Sequence, residues 1–169
     1  MPLGSAVKLT IATPEDMHAL GVRIGSHLVA GDVLVLNGPL GAGKTKLVQG
    51  IGEGLSVEGQ ITSPTFVVAR VHRSAIGGPE LVHVDAYRLS GLDDLETLGI
   101  DDHNNAVVVM EWGAPFADAL NSDQLHIDIE RSDEGTDIAP ESGLRVVTMR
   151  GIGARWNSPV LSQFETSAS

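Results

Sequence analysis

The sequence predicts an α/β fold: a mostly parallel sheet flanked by helices, with an antiparallel hairpin added to it. Three observations predict it. The unbroken apolar run Val33-Leu34-Val35-Leu36 leads into a glycine-rich loop, and beyond it Leu47, Val48, Ile51 and Leu55 recur at helical spacing; strand, loop and helix in that order make a parallel unit whose strand is buried on both faces. Two further apolar runs, Leu81-Val82-His83-Val84 and Ala106-Val107-Val108-Val109-Met110, end on the acids Asp85 and Glu111. Residues 124–130 and 144–149 alternate apolar and polar across a loop of Gly, Pro, Ser and acids, the pattern of an antiparallel hairpin.

From the N-terminus, residues 7–11 alternate like a short strand. Thr13-Pro14-Glu15-Asp16 then supplies a capping hydroxyl, a proline for the first helical position and early acids, a helix start. Met17, Leu20, Ile24 and Leu28 mark the apolar face of that helix, and Gly31 is read as its end. In the helix after the glycine loop, Gly52 and Gly54 fall near the expected C-terminus. Pro64 pushes Ser63 out of the α region, so residues 61–65 are extended, and 66–71 read as a strand. Residues 73–80 form a loop and 92–98 a helix. The last segment, 153–169, shows little periodicity and is expected to be a partly disordered tail. This gives a single domain over residues 7–152.

With 169 residues and 42% hydrophobic content the chain suffices for one packed core. Eleven Lys and Arg against 22 Asp and Glu give a formal charge of −11, so a polynucleotide meets net repulsion and stable independent nucleic-acid binding is not expected. No stretch approaches the roughly 18 apolar residues of a spanning helix, so the expectation is a soluble, cytoplasmic protein. The absence of cysteine excludes disulfides, thiol nucleophiles and thiolate metal sites.

Gly38-Pro39-Leu40-Gly41-Ala42-Gly43-Lys44-Thr45 matches G-x-x-x-x-G-K-[ST], a phosphate-binding loop. In such a loop the glycines let backbone N–H groups face phosphate oxygens, and the helix that follows presents its positive end. Lys44 would neutralise the β and γ phosphates, and Thr45 would place its hydroxyl on Mg²⁺, which takes oxygen ligands. The loop makes the predicted fold P-loop NTPase-like. No N-K-x-D element for guanine occurs, so ATP is the expected nucleotide.

If the strands before Asp85 and Glu111 run parallel to residues 33–36, both acids emerge at the carboxyl edge of the sheet, where ligands of open α/β folds bind, and flank one Mg²⁺. The competing reading of each is a cap for the next helix or a solvated strand end. Spacing does not say which acid holds metal and which orients water. Thr62, Ser63 and Thr65 lie on the loop where nucleotide switches sense the γ-phosphate, although a simple turn has the same pattern. Trp112 could stack on a nucleotide or partner, or simply pack. The six histidines show no metal-binding spacing and read as structural or surface residues.

Taken together, G-P-L-G-A-G-K-T at 38–45, T-S-P-T-F at 62–66, H-V-D-A-Y-R-L at 83–89, L-E-T-L-G-I at 95–100 and E-W at 111–112 resemble the TsaE family, also called YjeE, the ATPase of bacterial threonylcarbamoyladenosine synthesis on tRNA. The resemblance spans most of residues 11–150. It implies that Thr45 and Glu111 sit in the Mg²⁺ shell, that Asp85 takes the Walker B position, that residues 63–65 form a switch, and that the helix start at Thr13 lies near the adenine. It also implies an auxiliary ATPase that joins the transferase TsaD and its partner TsaB. Pro39, Lys46 and Ala86 depart from the family pattern without removing a proposed ligand. Tyr87, Arg88 and Glu96 match it, with roles in docking or local packing. Arg145, beside a longer loop at 132–143, is assigned no nucleotide contact.

Two other function classes fit the same loop. A small-molecule kinase would use Lys44 and Asp85 on a bound acceptor, but kinases of this type carry a mobile arginine-rich lid, and no such cluster occurs. A non-hydrolysing switch would use ATP only to set partner affinity. Lone turnover is expected to be slow, because no arginine finger is evident beyond Arg88 or a partner residue.

Overall fold

The structure, a computed structural model, describes residues 6–39, 41–61, 69–89, 91–97, 99, 105–112, 123–131 and 144–165. Thr62, Ser63 and Thr65, and the first residues of the strand expected at 66–71, lie outside these, as does Leu40 of the glycine loop. In chain order the elements are β1 (Ala6–Ile11), α1 (Pro14–Ser26), β2 (Val33–Asn37), α2 (Lys44–Leu55), β3 (Ala69–His72), β4 (Glu80–Asp85), α3 (Leu92–Thr97), β5 (Ala106–Glu111), β6 (Gln124–Arg131), β7 (Arg145–Ile152) and α4 (Ser158–Glu165). Short 3-10 turns occupy Ala86–Arg88 and Ala154–Trp156.

The described strands form one mixed sheet in the order β1-β7-β6-β2-β5-β4-β3. The central strands β6, β2, β5 and β4 are mutually parallel. β7, β1 and β3 each pair antiparallel with their neighbours. The hairpin is therefore built into the sheet: β6 continues the parallel set beside β2, and only its return strand β7 is antiparallel. β2 shows why its sequence is apolar throughout. Leu34 and Leu36 join the large core under the helices, while Val33 and Val35 join a second cluster with Val82, Val84, Val108 and Met110 on the opposite face.

α1 starts as its sequence predicts, with the Thr13 hydroxyl accepting from the Asp16 N–H at 3.0 Å and Pro14 leading the first turn. It stops at Ser26, however, where the N–H groups of His27 and Leu28 bond the Ile24 and Gly25 carbonyls. Gly31, at φ +96°, instead makes the turn into β2. α2 likewise ends on Ser56 in the left-handed region at φ +61°. Its glycines serve packing, not termination.

α1 and α2 meet along glycines four residues apart on each helix. A methyl group on Gly21 would stand 2.2 Å from the Leu47 carbonyl oxygen, one on Gly25 2.3 Å from that of Ile51, one on Gly50 2.1 Å from that of His18, and one on Gly54 2.4 Å from that of Val22. The two backbones are in direct contact, closer than any side chain would permit.

The expected tail needs correction over residues 153–165. Trp156, Leu161 and Phe164 are fully buried in the main core. Arg155 forks onto buried Asp32 at 3.0 and 2.9 Å, bonds the His27 carbonyl at 2.8 Å and lies over the Trp156 ring. The helical signal in Val160, Leu161 and Phe164 covers barely one turn, too short for periodicity to register against the polar residues around it.

Overpacking a core costs about 1–3 kcal/mol and more where backbone must move. Gly50→Ala should therefore lower the urea-unfolding free energy by about 3 kcal/mol, whereas Gly91→Ala, with open space around it, should leave it within about 0.5 kcal/mol. Equal effects at the two sites would contradict the helix contact.

Candidate functional site

Strand register gathers the site. Leu36 on β2 lies opposite Glu111 on β5, and Glu111 opposite Asp85 on β4. All three strands run the same way, so both acids end at the edge where the glycine loop leaves β2. Both are buried. The loop closes on Gly43, which caps α2 at φ +107°, leaving Lys44 and Thr45 as the first two residues of the helix.

Lys44 is buried, and its Nζ donates to the carbonyls of Gly38 at 2.5 Å and Pro39 at 3.2 Å. Burial lowers its pKa from the ordinary value, opposed by the charges of Glu111 and then Asp85. The ammonium also stands 4.6 Å from the centre of the Trp112 ring. Trp112 takes the left-handed conformation at φ +60°, its N–H bonding the Leu36 carbonyl at 2.9 Å. Tyr87, exposed at 71%, meets that ring edge-on at 5.5 Å. Trp112 thus packs over the lysine at the lip of the loop.

One carboxylate oxygen of Glu111 is 2.6 Å from His83 Nε2, and His83 is fully buried. A carboxylate only accepts, so Nε2 is the donor of the pair. Nδ1 has no hydrogen-bond partner among the described residues. His83 and Asp85 are two apart on β4 and share a face, a signal readable in H-V-D although the spacing is not that of a metal site. Asp85 accepts from the Tyr87 N–H at 3.0 Å. The capping reading of this acid is realised through one oxygen, at the same edge as Glu111.

The loop is walled by other elements. Gly38 has no room for a side chain: a methyl there would stand 2.9 Å from the Ile129 carbonyl oxygen of β6. Gly43 faces the Met17 side chain, and the Met17 N–H bonds the Thr13 carbonyl one turn earlier in α1. The Thr13 hydroxyl is engaged in its own helix cap. Arg145, given no role by the sequence, is buried and donates to the carbonyls of both Gly41 and Ala42 at 3.2 Å.

A hydrogen bond to a charged group contributes about 1.5–3 kcal/mol. His83→Leu should lower unfolding free energy by about 2 kcal/mol, and the double variant His83→Leu/Glu111→Leu should lose less than the two single losses added. Simple additivity in urea unfolding would rule out coupling across this pair.

The family profile described as Threonylcarbamoyl adenosine biosynthesis protein TsaE matches residues 11–138. The tRNA threonylcarbamoyladenosine biosynthesis protein TsaE of Streptomyces coelicolor is 51% identical over 142 residues, 83% of this chain and 93% of that protein. The protein of the same name from Mycobacterium tuberculosis strain H37Rv is 50% identical over 130 residues, 72% of this chain and 77% of its own, and that of Bacillus subtilis strain 168 is 31% identical over 152 residues, 89% of each. A crystal structure of Bacillus subtilis YdiB matches with a TM-score of 0.72 at 28% identity, covering 97% of both chains. Sequence along most of the chain and fold along nearly all of it agree, and the chain belongs to the TsaE family.

Proposed function

We propose that this protein is an ATPase that binds Mg·ATP on its glycine loop and acts in threonylcarbamoyladenosine biosynthesis on tRNA, resetting the TsaD–TsaB transferase complex by hydrolysis. The observation that carries the reading is the meeting of buried Lys44 with Asp85 and Glu111 at the end of a loop that opens a helix. Charge supports a cation there. The two carboxylates beside the ammonium would repel a polyphosphate unless a divalent ion lay between. The donor set fits Mg²⁺: Thr45, Glu111 and Asp85 offer hard oxygens, and among the described residues no group of three His, Cys, Asp or Glu forms an all-protein metal cage. Mg²⁺ prefers such a partial set, completed by phosphate and water oxygens. When bound it would offset the charge on the transferred phosphoryl group.

On this reading Lys44 leaves the Gly38 and Pro39 carbonyls for the β and γ phosphates, and loop N–H groups receive phosphate oxygens. Water attacks the γ-phosphorus in line as the bond to the β–γ bridging oxygen breaks, and ADP departs with the electron pair. Asp85 or Glu111 orients that water. Thr65 senses the γ-phosphate, and Thr13 and Trp112 border the nucleoside. An acidic protein suits an auxiliary part in which a partner binds the tRNA. No helix among the described residues is long and apolar enough to cross a membrane, and a cytoplasmic setting follows from the proposed role.

ATP hydrolysis by the purified protein should be weak alone and rise when the matching TsaD–TsaB pair is added. Lys44→Ala and Glu111→Gln should each reduce the stimulated rate at least about a hundredfold. Turnover indifferent to the pair would overturn the auxiliary role, full hydrolysis in Glu111→Gln would remove Glu111 from the catalytic groups, and ATP binding without hydrolysis, with or without the pair, would leave a nucleotide switch.

pH supplies a second check. Because burial depresses the Lys44 pKa below its ordinary 10.5, the ammonium is complete below the depressed value and lost as pH rises through it. ATP affinity should therefore fall on the alkaline side with a midpoint below 10.5, and Lys44→Arg, whose guanidinium stays charged, should lack that decline.

A further inference from the structure

Arg145 opens β7, far along the chain from the glycine loop, and lies within the sheet opposite Ile11 of β1 and Arg131 of β6. Val147 and Met149, which follow it on the same face, are fully buried. Its guanidinium is thus held by a rigid strand. From there Nε donates to the Ala42 carbonyl and one terminal nitrogen to the Gly41 carbonyl, both at 3.2 Å, while the other terminal nitrogen lies 3.5 Å from the Leu144 carbonyl. Two consecutive carbonyls of the loop are gripped by one planar fork, a geometry open to arginine and closed to lysine.

The grip has a directional consequence. In a trans peptide the C=O and the following N–H point to opposite sides. Drawing the Gly41 and Ala42 carbonyls toward Arg145 turns the N–H groups of Ala42 and Gly43 to the other side, the interior of the loop. The Ala42 N–H indeed bonds inward to the Pro39 carbonyl at 3.0 Å, and the Gly43 carbonyl receives the Leu47 N–H at 3.0 Å as α2 begins. Ile129 of the neighbouring strand leaves no room for a side chain on the loop at Gly38. Glycines allow many loop conformations; an arginine bolted to the sheet selects one.

We propose that Arg145 is a positioning residue for phosphate binding: without touching the nucleotide, it holds the glycine loop with amides inward before the ligand arrives. This rests on the nucleotide-binding reading above, but it also predicts a property of the free protein that does not. Native-state amide exchange by NMR and Mg·ADP binding by calorimetry would be measured for the wild type, Arg145→Met and Arg145→Lys. In Arg145→Met the free-state amides of Ala42 and Leu47 should exchange at least tenfold faster, with those of β2 and β5 unchanged, and Mg·ADP affinity should fall at least tenfold. Arg145→Lys, which keeps the charge and loses the fork, should shift both quantities in the same direction by a smaller factor, and it carries the test if the methionine variant does not fold. Loop amides that exchange as in the wild type would overturn the proposal, as would loosening spread equally over β2 and β5. A wild type that binds no Mg·ADP would instead sink the nucleotide reading, leaving the free-state exchange to decide the role of Arg145.

Discussion

The close backbone contact between α1 and α2 is the constraint from which the site's geometry follows. At Gly21, Gly25, Gly50 and Gly54 no side chain intervenes, and each position faces a carbonyl oxygen of the opposite helix. Interhelical distance is normally set by side chains and adjustable within an ångström or so. Here it is set by main chain, which does not adjust. The N-terminus of α2 is therefore fixed against α1, with Met17 lying on Gly43, and the loop that enters α2 has its end point fixed before any ligand is considered. The cost is four glycines in helix interiors, each about 0.5–1 kcal/mol less favourable than alanine, offset by the dispersion contact of two helices packed without a gap.

Against this fixed frame stand three charged groups that each need a partner. Lys44, Asp85 and Glu111 are all buried, and burying charge is costly unless it is paired. Each has a partner within the fold: loop carbonyls and an aromatic face for the lysine, an imidazole for Glu111, a turn N–H for Asp85. Trp112 closes this group. Its left-handed backbone, a strained state for a non-glycine residue, is held by the bond from its N–H to the Leu36 carbonyl, with the ring over the lysine at the mouth of the loop.

What could be read from sequence was what is local. The cap at Thr13, the two-faced burial of β2, the loop with Lys44 and Thr45, and the acids closing β4 and β5 each depend on a few neighbouring residues. Parallel pairing then brought Asp85 and Glu111 together as expected. Three features were not legible, each for its own reason. α4 carries too few turns to show a period. Gly54 reads as C-terminal punctuation and Gly21, Gly25 and Gly50 carry no signal, because nothing in one helix says what the other brings against it. His83 is one of six histidines without metal-type spacing, and only its position two before Asp85 marks it as sharing that acid's face of the strand.

The hairpin makes the limit clearest. Its alternation was legible, and so were its two strands, yet the part that matters to the site lay in the pairing. A strand shifted by one residue turns every side chain to the other face. Had β7 paired one residue out of step, Arg145 would point away from the helices and the carbonyls of Gly41 and Ala42 would lose their donor. That register is fixed jointly by β6 on one side and β1 on the other, whose partners come from opposite ends of the chain. Local patterns can announce a strand with an arginine at its start, but only the assembled sheet decides that the arginine arrives behind the loop. The chemistry of this site is thus written in two places: a contiguous motif that names the groups, and a long-range register that aims them.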